Sequence, residues 1–156
     1  GGAIDDSAIY TKIWKLWLDT DPHLFLEVGL DVHEGRVLLT GIVDSPQNRL
    51  DAVRLAWQVE NVRQVIDEIQ IMDEGSVLDY TRDIWITAKL RSKITFDSEI
   101  LAINYSIETV NKVVYLMGIA QGEAELNRVI RYARNLAYVR KVTSYVRIKS
   151  KRLPGT

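Results

Sequence analysis

Slid along itself by 77 positions without a gap, the sequence meets identical residues from end to end. Asp6 falls on Asp83, Ile9 on Ile86, Lys12 on Lys89 and Leu24 on Leu101. Further along, Val37 meets Val114, Leu39 meets Leu116, Gly41-Ile42 meets Gly118-Ile119, and Ala56 meets Ala133. Val62-Arg63 then meets Val139-Arg140, Val65 meets Val142 and Ile71 meets Ile148. Apolar positions agree more widely than identities do. A shared register with shared apolar positions specifies two copies of one folded unit, each of roughly 70 residues. Units this small have thin cores, so docking of one copy on the other is expected. The pattern predicts units at 5–72 (acidic) and 79–149 (basic), a linker at 73–78 and a C-terminal tail at 150–156.

Within the first copy, Ile9, Ile13 and Leu16 recur at helical spacing behind Asp5-Asp6, which suit a helix N-terminus. Asp19-Thr20-Asp21-Pro22 breaks that helix. Leu24, Leu26, Val28, Leu30 and Val32 alternate as a strand with one buried face would. Glu34-Gly35 turns into a second strand, Arg36 to Val43. Ser45-Pro46 caps a helix that buries Ala52, Val53, Ala56 and Val59 and ends at Asn61, before a strand from Val65 to Ile71. The second copy repeats the plan: a helix on Ile86 and Leu90, and a strand on Leu101, Ile103, Tyr105 and Ile107. A turn at Asn111-Lys112 then leads to a strand at Val113 to Ala120, a helix burying Val129, Ile130, Ala133 and Leu136, and a strand from Val142 to Ile148. The fold class is α+β, αββαβ twice, each unit a three-stranded mixed sheet with two helices on one face. Gly41 and Gly118 interrupt strands, where glycine weakens the ladder unless another backbone approaches closely, so both are read as structural glycines.

Overall charge conceals a polarity between the halves. Residues 1–75 carry 6 basic and 14 acidic side chains, a net −8, whereas residues 76–156 carry 14 basic and 7 acidic, a net +7. Such asymmetry points the second copy at an anionic surface, or lets the copies complement each other where they touch. Without cysteine, neither disulfides nor a zinc–thiolate site can form. No apolar run approaches the ~18 residues of a membrane span. An enzyme reading finds little: His23 and His33 are the only histidines, at opposite ends of the expected strand, and align with Ile100 and Val110. The acidic groups Asp19/Asp21, Asp67/Glu68 and Asp73/Glu74 read as solvated charge. No glycine-rich phosphate loop occurs. The arginines Arg128, Arg131, Arg134 and Arg140 come without an RNA-recognition signature, so no nucleic acid is expected as a partner. No catalytic residue, metal or cofactor is assigned.

Two αββαβ units, each with a mid-strand glycine before a capped helix and a closing V-R-x-V strand, resemble tandem BON domains. Asp83-Ile84-Trp85-Ile86-Thr87-Ala88-Lys89-Leu90-Arg91-Ser92 is similar to the first helix of the second domain in dual-BON periplasmic and outer-membrane lipoproteins. Asn104 to Gly118, with its core at Val113 to Gly118, is similar to the hairpin that follows. The likeness covers residues 5–149 and is nearest to the division- and outer-membrane-stress-associated lipid-binding branch. It implies a non-catalytic envelope-stress protein on the periplasmic face of the outer membrane. Its anionic phospholipids, phosphatidylglycerol and cardiolipin, would meet Ile84, Trp85, Thr87, Ala88, Lys89, Arg91 and Ser92. The signal and lipidated cysteine of that branch would lie upstream of Gly1.

The residues themselves lend this support. Trp85 and Lys89 are four apart on a face beside the core positions Ile86 and Leu90, with Arg82 three before Trp85 and Ser92 three after Lys89. Trp85 aligns with Ala8, so the fold does not demand an aromatic there. Tryptophan favours the membrane interface, and each basic residue near an anionic surface contributes about 1 kcal/mol. Arg82, Lys89, Arg91 and Lys93 together would contribute about 4 kcal/mol at most, before entropy and salt screening. The competing expectation for Trp85 is packing between the copies. Tyr10, Trp14 and Trp17 of the first copy are expected at the contact between copies or at a partner site. An alternative function is a protein-interaction or chaperone-like module whose basic half grips an acidic envelope protein.

Overall fold

The computed structural model describes residues 5–73 and 79–149, so most of the expected linker and the tail at 150–156 lie outside the described residues. The chain divides into two compact units, Gly1–Val77 and Leu78–Thr156. In the first, α1 (Asp6–Thr20) and α2 (Pro22–Glu27) precede the hairpin β1 (Val28–His33) and β2 (Arg36–Val43), followed by α3 (Pro46–Trp57), β3 (Gln64–Asp67) and β4 (Gln70–Ile71). The second holds α4 (Thr81–Thr95), one 3-10 turn at Ala102–Asn104, β5 (Tyr105–Val110), β6 (Val113–Ala120), α5 (Glu123–Arg134), β7 (Lys141–Ser144) and β8 (Arg147–Ile148). Every strand of the second unit begins and ends 77 residues after its counterpart, as do α3 and α5.

Both sheets have one topology. The hairpin strands pair antiparallel, Val28 opposite Gly41 and Tyr105 opposite Gly118. The helix after the hairpin then crosses over, so that the last strand runs parallel to the second, Val37 beside Val65 and Val114 beside Val142. In the first unit the core gathers Ile9, Ile13 and Trp17 from α1, Leu30, Val37 and Leu39 from the hairpin, and Ala52 and Ala56 from α3. Ile86, Leu90, Ile94, Ile107, Val114, Leu116, Val129 and Ala133 do the same in the second. The four-residue spacing on α1 and α4 produces these single buried stripes.

Repeated residues explain the repeated geometry. Asp6 and Asp83 do more than begin a helix. The Asp6 carboxylate accepts the N–H groups of Glu34 and Gly35 at 2.7 and 2.9 Å, and that of Asp83 accepts those of Asn111 and Lys112, both at 2.8 Å. Each therefore ties its helix to the hairpin turn, whose residues all have φ between 50° and 76°. Gly41 and Gly118, at φ 113° and 131°, lie where a Cβ would collide with the carbonyl oxygens of Glu27 and Asn104. Another backbone does pass there, as the strand interruption suggested.

Three expectations need correction. Leu24 and Leu26 lie on α2, not on a strand: Asp21 accepts the His23 N–H and Pro22 takes the first helical position, so the break restarts a helix. Leu24 is fully buried while Leu26 is 77% exposed, an opposition that a strand would not give. Leu101 and Ile103 likewise precede β5, in and beside the 3-10 turn. The last strand of each unit is split. Asp67 accepts the Ile69 N–H at 3.0 Å and Ser144 accepts that of Val146 at 3.2 Å, so a side chain draws the backbone out of the ladder at the same repeat position. Finally, Trp17 is buried in its own unit, its indole N–H donating to the Ala52 carbonyl at 3.2 Å. Trp14 lies beside it, edge-on to Tyr10, Trp17 and Phe25.

Candidate functional site

All nine residues singled out for lipid binding lie on α4. Asp83, Ile86, Leu90 and Ile94 turn into the unit, which fixes what the helix shows outside. Ile84 is 69% and Trp85 42% exposed, and Ala88, Lys89, Ser92 and Lys93 are exposed as well. Phe96 continues the helical backbone as the C-cap and is 86% exposed. At about 100° per residue, Ile84, Ala88, Ser92, Trp85 and Phe96 fan across roughly 120° of the outer surface. Lys89, Arg82 and Lys93 follow within the next ~60°. An apolar ridge thus runs the length of the helix with a basic border beside it.

Clefts flank the ridge. On one side, Arg82 lays its guanidinium 3.6 Å above the Tyr138 ring, and Trp85 meets the same ring edge-on at 5.9 Å. With Asp79, Thr81 and Ala137 they line a shallow cleft of about 480 Å³. On the other side, Tyr80, Ile84, Thr87, Ala88, Arg91 and Thr109 border a groove of about 460 Å³, where the Thr87 and Thr109 hydroxyls share a 2.7 Å hydrogen bond. Arg91 is placed differently from the other cations. Its guanidinium donates to the carbonyls of Ala102 at 2.9 Å and Tyr105 at 2.6 Å, clamping α4 to the start of β5.

The far end of the helix is fixed too. Asp97 accepts the Arg128 guanidinium at 2.9 and 3.1 Å and the Tyr132 hydroxyl at 2.8 Å. The Glu99 backbone N–H, then the Tyr132 hydroxyl and Arg128, hold the Asp97 carboxyl below the usual carboxylate range, and Asp97 in turn raises Arg128. This brace pins the chain next to Phe96, whose ring stays in solvent.

Sequence reasoning passed over Tyr138, Asp79 and Phe96. Tyr138 carried one available signal: 77 residues earlier stands Asn61, and both have a left-handed backbone, φ 74° and 73°. Asparagine adopts that conformation readily and tyrosine only at a cost. His23 sits on α2 with its ring nitrogen 3.0 Å from Asp21, and His33 ends β1 within 3.5 Å of Glu34.

Two copies of one small α+β unit, with an unequal surface built on the first helix of the second, define a tandem two-domain α+β protein. The BON domain model matches residues 5–73 and 82–150, and the chain belongs to that family. It is 44% identical over 151 residues to the "uncharacterized protein in gshII 5′ region" of Anaplasma centrale, covering 96% of this chain and 99% of that protein. With osmotically-inducible protein Y of Escherichia coli it shares 29% identity over 151 residues, 96% of this chain and 75% of that one. Outer membrane lipoprotein DolP of Haemophilus influenzae is likewise 29% identical over 145 residues, 91% of this chain and 74% of its own. No described helix is long and apolar enough to cross a membrane.

Proposed function

We propose that this protein is a non-catalytic, anionic-phospholipid-binding module of the bacterial envelope, acting at the periplasmic face of the outer membrane and supporting envelope integrity. The observation that carries this is the exposed ridge of Ile84, Trp85 and Phe96 bordered by Arg82, Lys89 and Lys93. The equivalent positions of α1 hold Ser7, Ala8 and Asp19, with Asp5, Lys12 and Leu16 at the border. A helix with this arrangement lies flat in the headgroup region, its apolar side chains dipping inward and its cations meeting lipid phosphates. Arg82, Lys89 and Lys93 at about 1 kcal/mol each give about 3 kcal/mol, since the Arg91 guanidinium is occupied by backbone carbonyls. That suits a protein brought to the membrane by a tether, in keeping with the lipoprotein named among its relatives.

Sedimentation with vesicles tests it. Binding is expected to phosphatidylglycerol or cardiolipin vesicles over phosphatidylcholine ones, and to fall in Trp85→Ala combined with Lys89→Glu. Equal binding to neutral and anionic vesicles would refute it. A second reading, a module that grips an acidic envelope protein, draws on α5, whose outer face exposes Arg131 and Arg134 beside the braced Arg128. Capture of one acidic envelope protein that persists in the Trp85 variant, without vesicle binding, would favour it.

A further inference from the structure

Three positions on two separate elements differ between the copies in a concerted way. Asp5, Ala8 and Asn61 of the first unit correspond to Arg82, Trp85 and Tyr138 of the second, where Arg82 and Trp85 both meet the Tyr138 ring. None of them belongs to the second unit's buried core. Tyr138 also holds a left-handed backbone that a bulky side chain adopts only at a cost, and the residue is 51% exposed. Packing does not explain a strained, half-exposed tyrosine; a surface that needs its ring does.

Resting on the lipid-binding reading, we infer that the cleft of Arg82, Trp85, Tyr138 and Asp79 is a built headgroup site for a singly charged phosphodiester carrying hydroxyl donors, as in phosphatidylglycerol. Tyr138 is the positioning residue. Its ring supports one face of the Arg82 guanidinium, leaving the N–H edge to address phosphate oxygens. Trp85 closes the second side and places the site beside the apolar ridge, where the glycerol backbone of a lipid would enter. Asp79 sets the selectivity. Its carboxylate accepts the Thr81 backbone N–H at 2.9 Å, and this bond, with the Thr81 hydroxyl, holds its pKa below the usual carboxylate range. An ionised carboxylate repels a doubly charged phosphomonoester and accepts from the hydroxyls of a glycerol headgroup. The cleft, at about 480 Å³, falls within the ~300–1,000 Å³ range of small-ligand sites.

The test compares the full chain with Tyr138→Asn, Tyr138→Phe and Asp79→Asn on phosphatidylcholine vesicles doped equally with phosphatidylglycerol, phosphatidic acid or phosphatidylethanolamine. Tyr138→Asn supplies the residue that the backbone prefers, so its urea midpoint is expected to hold or rise. Its affinity for phosphatidylglycerol vesicles falls about fivefold, the measure of one lost cation–π contact. Tyr138→Phe keeps the ring and the affinity. Asp79→Asn narrows the preference for phosphatidylglycerol over phosphatidic acid. Unchanged vesicle binding by Tyr138→Asn, where the parent chain binds, overturns the headgroup site alone. Failure of the parent chain to bind any anionic vesicle overturns the lipid reading and this site with it. Tighter binding to phosphatidylethanolamine, whose ammonium would answer Asp79, also overturns the assignment. So does displacement from vesicles by inorganic phosphate at matched ionic strength, which would make a free anion the ligand.

Discussion

Replacing Asp83 tests the join between α4 and its sheet. Asp83 is 6% exposed, and its carboxylate accepts two backbone N–H groups, each at 2.8 Å, from the turn residues Asn111 and Lys112. Hydrogen bonds to a charged group contribute about 1.5–3 kcal/mol each, so the pair spans about 3–6 kcal/mol. Asn111 is exposed and water can reach its amide after truncation, which places Asp83→Ala near the lower bound, about 3 kcal/mol. Asp83→Asn keeps one acceptor but turns an NH2 toward the second N–H, and is expected to cost about 2 kcal/mol. A unit of this size has roughly 5 kcal/mol in all, so the alanine variant leaves it close to unfolding. With a urea dependence of about 1 kcal/mol/M, the asparagine midpoint drops by about 2 M. Urea titration followed by circular dichroism reads the midpoint, and hydrogen exchange at Asn111 and Lys112 reads the local effect. Asp6→Asn should lower the first unit's stability similarly, since Asp6 makes the same two bonds. An Asp83→Ala variant within about 0.5 kcal/mol of the parent would refute the reasoning, because surface substitutions routinely fall in that range.

Other substitutions separate structure from surface. Gly118→Ala forces a Cβ against the Asn104 carbonyl at φ 131°, and a loss above about 4 kcal/mol is expected in thermal melts. Trp17→Ala should cost about 3–5 kcal/mol as a core truncation, whereas the half-exposed Trp85→Ala should cost under about 1 kcal/mol yet lower vesicle binding. Glu27 has one buried carboxylate oxygen with no hydrogen-bond partner among the described residues, and burial, then the charge of Asp44, raises its pKa. A raised carboxylate takes up its proton more readily when folded, so stability falls as pH rises through the raised value. Glu27→Gln should therefore stabilise the chain at neutral pH and lose that advantage in acid, as urea midpoints at both conditions would show. Asp97 has the opposite sign: its lowered pKa gives stability above the ordinary carboxylate value that is lost as pH falls through the depressed one. The difference between the parent and Asp97→Asn should accordingly be largest at neutral pH and shrink under strong acid.

Much of the fold is legible because the chain states it twice. Turn chemistry at Glu34-Gly35 and Asn111-Lys112, the proline after Ser45 and the mid-strand glycines each specify local geometry from local residues. Alternation misleads at Leu24 and Leu26, because two leucines two apart fit a strand as well as opposite sides of a short helix. The Asp21-Pro22 cap was the deciding signal. The split of the last strands at Asp67 and Ser144 turns on one side-chain bond that periodicity does not register. For the candidate site, the outward residues of α4 follow from helical spacing. Tyr138 does not, because it reaches Arg82 from 56 positions away in the sequence. Nor does the capture of Arg91 by two carbonyls, since the helix alone gives no hint of what its guanidinium meets.

That clamp has a mechanical consequence. In the first unit the same position is Trp14, packed among other rings, but in the second a two-pronged bond fastens α4 to the start of β5. On the lipid-binding reading, a helix bolted at mid-length and braced at its end by Asp97 would keep to its sheet on meeting a bilayer. The unit would then ride the surface like a hull, its draught set by how far Ile84, Trp85 and Phe96 stand proud of the backbone. Such a body would come and go with the ionic strength of its surroundings and leave the bilayer unbroken.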